Sequence, residues 1–166
     1  MLMLAHIVHI HQIPKFLWGF DSFEGFPEPT SEDASFRNAQ KGQHAHDKQH
    51  VLNVLRTHLN DELFFRSKIS LIKGYFENTL QIHQRPVSLL NLDVDLYQSY
   101  KICLETFYHR MSAGAIITFD EYHREGDVFP GAPKAIDEFF SGRRVTFVKD
   151  HLYGKFFVVK REDASG

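Results

Sequence analysis

At 166 residues, 43% of them hydrophobic, the chain can build one sizeable core and is short for two, so a single domain over residues 1–166 is expected. Its 19 Lys and Arg against 21 Asp and Glu exclude the basic field that gathers nucleic acid or an anionic membrane, which tilts the balance a little toward a small-molecule role. The single cysteine, Cys103, excludes an internal disulfide framework and fits the cytoplasm.

The opening MLMLAHIVHIHQIPK is apolar but broken by His6, His9 and His11, with no basic leader and no small-residue cleavage site. It reads as neither a signal peptide nor a membrane span. Strand-like runs follow at KFLWGF (15–20), KISLIKGYF (68–76), VSLLNLDV (87–94), GAIITF (114–119), RRVTFVK (143–149) and KFFVVKR (155–161). Most are continuously apolar rather than alternating, the pattern of strands covered on both faces. Between the first two, Glu28 to Gln49 reads as a long exposed loop, leading to a helix carried by Val51, Leu52, Leu55 and Leu59. A second helix carries one apolar stripe through Leu96, Tyr100, Cys103, Leu104, Phe107 and Met111. A third, with Ala135, Ile136, Phe139 and Phe140, has Pro133 in its first turn. Alternating strands and helices predict an α/β fold with a mostly parallel, Rossmann-like sheet. The last two strands, separated by DHLYG, form an antiparallel C-terminal hairpin.

In open α/β sheets ligands gather at the carboxyl ends of the strands. Here those ends carry Asp21 and Ser22, then Gly74 to Asn78, then Asp93 and Asp95, then Asp120 and Glu121. A hard divalent cation such as Mg²⁺ takes a few carboxylates and leaves its other positions to water or substrate. Asp93 or Asp95, with Asp120 and Glu121, can supply that set, and the metal can lower the pKa of a bound hydroxyl. Against this, Asp95 can simply cap the helix near Leu96, and Asp120 and Glu121 can begin a polar loop. Asp21 stands where nucleotide-binding α/β domains place an acid against a ribose, or else makes an Asp-Ser turn. KGYFENT (73–79) offers a glycine and an aromatic to a flat heterocycle, or is an ordinary turn. His46 and His50 have the i, i+4 spacing of a helical metal pair, and with His44 they are read as a solvated helix start, as polar clusters usually are. Cys103 falls on the apolar stripe and is read as a packed thiol.

GFDSFEGFPEP, LIKGYFENTL, LNLDVDLYQSY, GAIITFDEY and GAPKAIDEFF, in this order and spacing, resemble the macrocin O-methyltransferase family (TylF/MycF type) over roughly Pro14 to Arg161. The resemblance implies a class I fold dependent on S-adenosylmethionine and Mg²⁺, and O-methylation of a sugar or similar small molecule bearing a hydroxyl. It implies that Asp21 and Ser22 face the cofactor's ribose and methionine portions and that Gly74, Tyr75 and Phe76 border its adenine. Asp93 matches the first acid of the family's D-x-D-L-Y segment and Asp120 the first of its D-D pair, both metal ligands. Glu121 departs from the second Asp of that pair, and Asp95 is a partner of the site or its catalytic base. Gly126 to Pro133 would face the acceptor.

The family's glycine-rich first strand and turn have no counterpart before KFLWGFDSF, and LAHIVHIHQIPK resembles the end of the helix that follows them. The central strand of the sheet is therefore expected to be missing, leaving a gap between the strands that carry Asp21 and Asp93. Bare apolar edges there invite self-association. An N-terminally truncated chain, a fragment or the product of a misplaced start, with its activity alone left open, is preferred to a shortened degenerate relative because the remaining motifs keep side chains that catalysis needs. Two other readings stand: a metal-dependent glycosyltransferase-like enzyme using the DVD motif, and a non-enzymatic remnant.

Overall fold

The computed structural model describes residues 1–122 and 128–161. Two compact units emerge: Met1–Phe26 with Gly42–Thr79, and Pro27–Lys41 with the chain from Leu80 onward. The six strands form two separate sheets, β1-β2 and β3-β4-β6-β5. No ladder joins the strand carrying Asp21 to the strand leading to Asp93 among the described residues.

In the first unit, α1 (Leu2–Ile10), β1 (Leu17–Asp21), α2 (Lys48–Leu59), α3 (Glu62–Lys68), β2 (Ile69–Lys73) and the single turn α4 (Phe76–Thr79) follow in order. β1 and β2 run parallel, with Asp21 opposite Lys73. Ala5, Leu55, Leu59, Phe65 and Ile69 form the core, flanked by Leu17, Val51, Leu52 and Leu71. α2 starts where Asp47 accepts the Gln49 and His50 N–H groups and stops at Asn60 in the left-handed region. His46 thus precedes the helix, and the i, i+4 histidine pair does not share a helical face. α3 escaped the sequence reading; Asp61 caps it by accepting the Phe64 N–H at 2.8 Å.

The second unit holds β3 (Val87–Leu92), α5 (Tyr97–Phe107), β4 (Met111–Phe119), α6 (Gly131–Phe140), β5 (Phe147–Lys149) and β6 (Phe156–Val159). β3 and β4 are parallel, while β6 runs antiparallel to both β4 and β5, which is the expected hairpin. The stripe of α5 is buried, Cys103 included, and Tyr100 and Leu104 have no exposed surface. Phe119, Tyr122, Phe140 and Phe147 interlock as a ring cluster beside Phe156. The expectation of strands covered on both faces fails here. Leu89, Ile116 and Val159 lie in register across β3, β4 and β6 and are 42%, 36% and 38% exposed. A continuous apolar run marks a strand but does not state how many of its faces are packed.

The stretch from Glu28 to Gln49 is not wholly an exposed loop. Ser31–Asp33 makes a 3-10 turn, and Asp33 is buried. Gly126 and Asp127 of the expected acceptor-facing segment lie outside the described residues, while Gly131–Pro133 open α6.

Candidate active site

At the carboxyl ends of the parallel pair β1-β2 the chain makes two turns side by side. Asp21 Oδ1 accepts the Phe23 N–H at 2.6 Å, and Phe23 takes a left-handed φ of 54°. The Ser22 hydroxyl donates to the Gly25 carbonyl at 2.7 Å and accepts the Glu24 N–H at 3.1 Å. The Asp-Ser turn anticipated as the plain alternative is therefore real, and it holds an exposed carboxylate at the strand end. Next to it, the Gly74 N–H donates to the Asp21 carbonyl at 2.9 Å. Gly74 has a φ of 139°, and a Cβ there would lie 2.8 Å from Thr79 Cγ2. That position tolerates only glycine without strain. Tyr75 and Phe76 follow, both half-buried. Asp21, Ser22, Gly74, Tyr75 and Phe76 are thus brought together within the first unit, as an exposed acid, a hydroxyl, a glycine turn and two partly open rings.

At the carboxyl ends of β3 and β4, in the second unit, Asp93, Asp120 and Glu121 each bring a carboxylate oxygen within 4.8 Å of the others. The Asp120 N–H continues the ladder by donating to the Leu92 carbonyl at 2.9 Å, which fixes the two strand ends against each other. Glu121 is half-buried, and its carboxyl is pushed up to about 8, first by burial and then by the charges of Asp95 and Asp120, with the Tyr100 hydroxyl working against the rise. Asp93 is also raised, by desolvation and by Asp120. Two of the three close acids, Asp93 and Glu121, hold their protons more tightly than usual, and together with Asp120 they form a set of hard oxygen donors, so the donor chemistry fits Mg²⁺.

Two side chains that hold this cluster were not singled out for the task in the sequence. The buried Tyr100 hydroxyl donates to Glu121 Oε2 and accepts the Glu121 N–H at 3.4 Å. Lys155 Nζ lies 2.6 Å from Asp120 Oδ1 and donates to the Asp120 carbonyl at 2.9 Å. The alternative that Asp95 caps the following helix is corrected. Leu96 is the N-cap residue and makes no side-chain cap bond, while Asp95 has a left-handed φ of 57°. The first turn of α5 is served instead by Asp33, whose Oδ1 accepts the Tyr97 N–H at 2.8 Å. Among the described residues no other group of three or more His, Cys, Asp or Glu side chains converges as a metal set, and His44, His46 and His50 are exposed.

Parallel strands ending in acids, with an antiparallel hairpin beside them, are the fold of the class I methyltransferases, and solved structures agree. A calicheamicin methyltransferase matches with a TM-score of 0.82 at 21% identity, over 98% of this chain and 67% of that one. The O-methyltransferase NovP matches with a TM-score of 0.77 at 22% identity, over 96% and 66%. The macrocin-O-methyltransferase (TylF) family profile matches residues 1–151, and the chain belongs to that family. Two curated relatives are similar in sequence. The 8-demethyl-8-(2,3-dimethoxy-alpha-L-rhamnosyl)-tetracenomycin-C 4'-O-methyltransferase of Streptomyces olivaceus is 28% identical over 109 residues, and demethyldecarbamoylnovobiocin O-methyltransferase of Streptomyces niveus is 24% identical over 162. These alignments cover 64% and 92% of this chain but 41% and 60% of the relatives. No helix among the described residues is long and apolar enough to cross a membrane.

Proposed function

We propose that the chain carries the cofactor-contacting and metal-binding parts of an O-methyltransferase that uses S-adenosylmethionine and Mg²⁺ to methylate a hydroxyl of a sugar or similar small molecule. The observation that carries this is the convergence of Asp93, Asp120 and Glu121 within 4.8 Å on two neighbouring parallel strand ends, in a chain of a methyltransferase family. A family of methyltransferases favours this reading over a nucleotide-sugar transferase.

Asp93, Asp120 and Glu121 would hold Mg²⁺, which when bound supplies a Lewis acid that lowers the pKa of the acceptor hydroxyl. Asp21 would accept hydrogen bonds from a ribose, with the Gly74 turn admitting close approach and the rings of Tyr75 and Phe76 offering faces to the adenine. S-adenosylmethionine would supply the methyl group. Asp95, two residues from Asp93 and near enough to Glu121 to raise its carboxyl, is the candidate base that takes the hydroxyl proton. Much of the rate would come from alignment of acceptor and donor.

Isothermal titration of S-adenosylmethionine into the folded chain, with and without Mg²⁺, tests the proposal. Binding is expected in both series. No binding in either would overturn the cofactor assignment, and no heat from Mg²⁺ alone would overturn the metal assignment.

A further inference from the structure

The register of the hairpin places Lys155 as deliberately as the parallel strands place the acids. Phe156 of β6 pairs with Phe119 of β4, so the residue before the one lies beside the residue after the other: Lys155 beside Asp120. The backbone holds Lys155 in place, because the Asp150 N–H donates to the Lys155 carbonyl at 2.8 Å and Asp150 Oδ2 accepts the Tyr153 N–H at 2.6 Å within the connecting turn. Its ammonium then has two anchors on one residue, the Asp120 carboxylate at 2.6 Å and the Asp120 carbonyl at 2.9 Å. The carbonyl cannot turn away as a side chain can. A cation arriving among the three carboxylates therefore meets a positive charge that stays where it is.

We propose that Lys155 is a positioning residue that sets the metal affinity of the Asp93, Asp120 and Glu121 cluster, acting through Asp120 as a fixed cation with which a divalent ion must share the site. The proposal rests on the metal assignment above and adds a sign to it. Lys155 offsets one negative charge, so the acids can stand close together without metal, and it repels the incoming ion, so the metal is held less tightly than three carboxylates alone would hold it. A lysine that only shaped the site would have the opposite effect when removed, since a loosened Asp120 would bind metal more weakly.

The test is Mg²⁺ titration calorimetry at low ionic strength on the intact chain, on Lys155→Gln and Lys155→Met, and on the charge-preserving Lys155→Arg, with metal-free melting measured alongside. Removal of the charge should tighten Mg²⁺ binding about tenfold, a gap that narrows as salt is added. Lys155→Arg should bind Mg²⁺ like the parent. Without metal the two neutral variants should melt below Lys155→Arg, because the acids lose their resident counter-charge. The methionine variant keeps the aliphatic stem of the lysine and serves if the glutamine variant does not fold. Equal or weaker Mg²⁺ binding by the neutral variants, with the parent binding normally, overturns the role of Lys155 and leaves the metal site standing. Absence of Mg²⁺ binding in the parent and in all variants overturns the metal assignment itself, and this proposal with it.

Discussion

Asp33 Oδ1 accepts the backbone N–H of Tyr97 at 2.8 Å, across 64 positions of sequence. Its other oxygen accepts the Thr30 N–H at 2.8 Å and the Thr30 hydroxyl at 3.0 Å. One buried carboxylate thus closes its own turn and caps α5, the helix that begins four residues after Asp93. The start of α6 is shaped around it, for a Cβ on Gly131 would lie 2.0 Å from Asp33 Oδ1. The same loop adds a bond from the Ser35 hydroxyl to the Val128 carbonyl at 3.1 Å.

Asp33→Ala should therefore destabilise the chain by about 2–3 kcal/mol, the loss of a helix cap plus orphaned buried donors at Thr30 and Tyr97. Gly131→Ala should cost a similar amount by clashing with the same oxygen. The double variant should cost less than the sum, because the methyl's clash with the carboxylate is gone and only its close approach to Tyr97 Cβ at 2.8 Å is left. Chemical denaturation of the four proteins checks the cycle, and strict additivity would mean the two residues do not share this contact.

Glu121 keeps its proton in the folded chain up to about pH 8, far above its ordinary 4.5. A raised acid binds more protons folded than unfolded, so its contribution is fully present below 4.5 and is lost as pH rises through 8. Asp93, also raised, acts with the same sign. Metal-free melting temperature should fall from about pH 5 to about pH 8, and Mg²⁺ should recover most of the loss at the upper end. A pH-independent melting temperature over this window would contradict it.

Tyr100→Phe removes the hydroxyl that holds Glu121 while leaving the ring in place. That hydroxyl favours the charged carboxylate, so its loss should push the Glu121 carboxyl higher still. Mg²⁺ affinity at neutral pH should drop about tenfold and recover at alkaline pH, at a stability cost of about 1–2 kcal/mol. Weakening that is the same at every pH would point to lost geometry rather than to the proton.

At the metal cluster, Asp93→Asn and Asp120→Asn should each weaken Mg²⁺ binding at least about tenfold, as expected when a charged oxygen ligand becomes neutral. Glu121→Asp, the residue of the family's pattern, should bind Mg²⁺ as well as the parent or better. Calorimetry separates these cases, and an Asp120→Asn variant with parental affinity would remove Asp120 from the ligand set.

Gly74→Ala should cost about 1–3 kcal/mol, since alanine resists a φ of 139° and its methyl meets Thr79 Cγ2. S-adenosylmethionine binding should fall more steeply than stability if the turn borders the adenine. Parental affinity in a folded variant would take Gly74 out of the proposed cofactor contact.

The carboxylates of the cluster were legible because each follows an apolar strand run directly, and a parallel pair puts successive strand ends at the same edge. α3 was missed because seven residues give too few turns for a periodicity, although Asp61 before Glu62 was a usable capping signal. Asp33 was unreadable for a different reason. In sequence it is an acid in a polar stretch, and nothing nearby marks Tyr97 as its partner. Asp95, next to the helix, was the natural local candidate for the cap, but Leu96 takes the N-cap position and the Tyr97 N–H goes to Asp33 from a distant loop.

Local patterns in the chain by themselves determined the strands and the longer helices α2, α5 and α6, which acids stand at strand ends, and that Cys103 and the stripe of α5 go inward. Those features follow from the identity and spacing of nearby residues, through backbone periodicity and the removal of apolar surface from water. Only the tertiary structure decided that Asp33 caps α5, that Tyr100 holds Glu121, that Lys155 sits on Asp120, and that Leu89, Ile116 and Val159 stay open on one sheet face. Each of these depends on strand register or on the closure of a long loop, and such pairings between distant residues leave no periodic trace in the sequence.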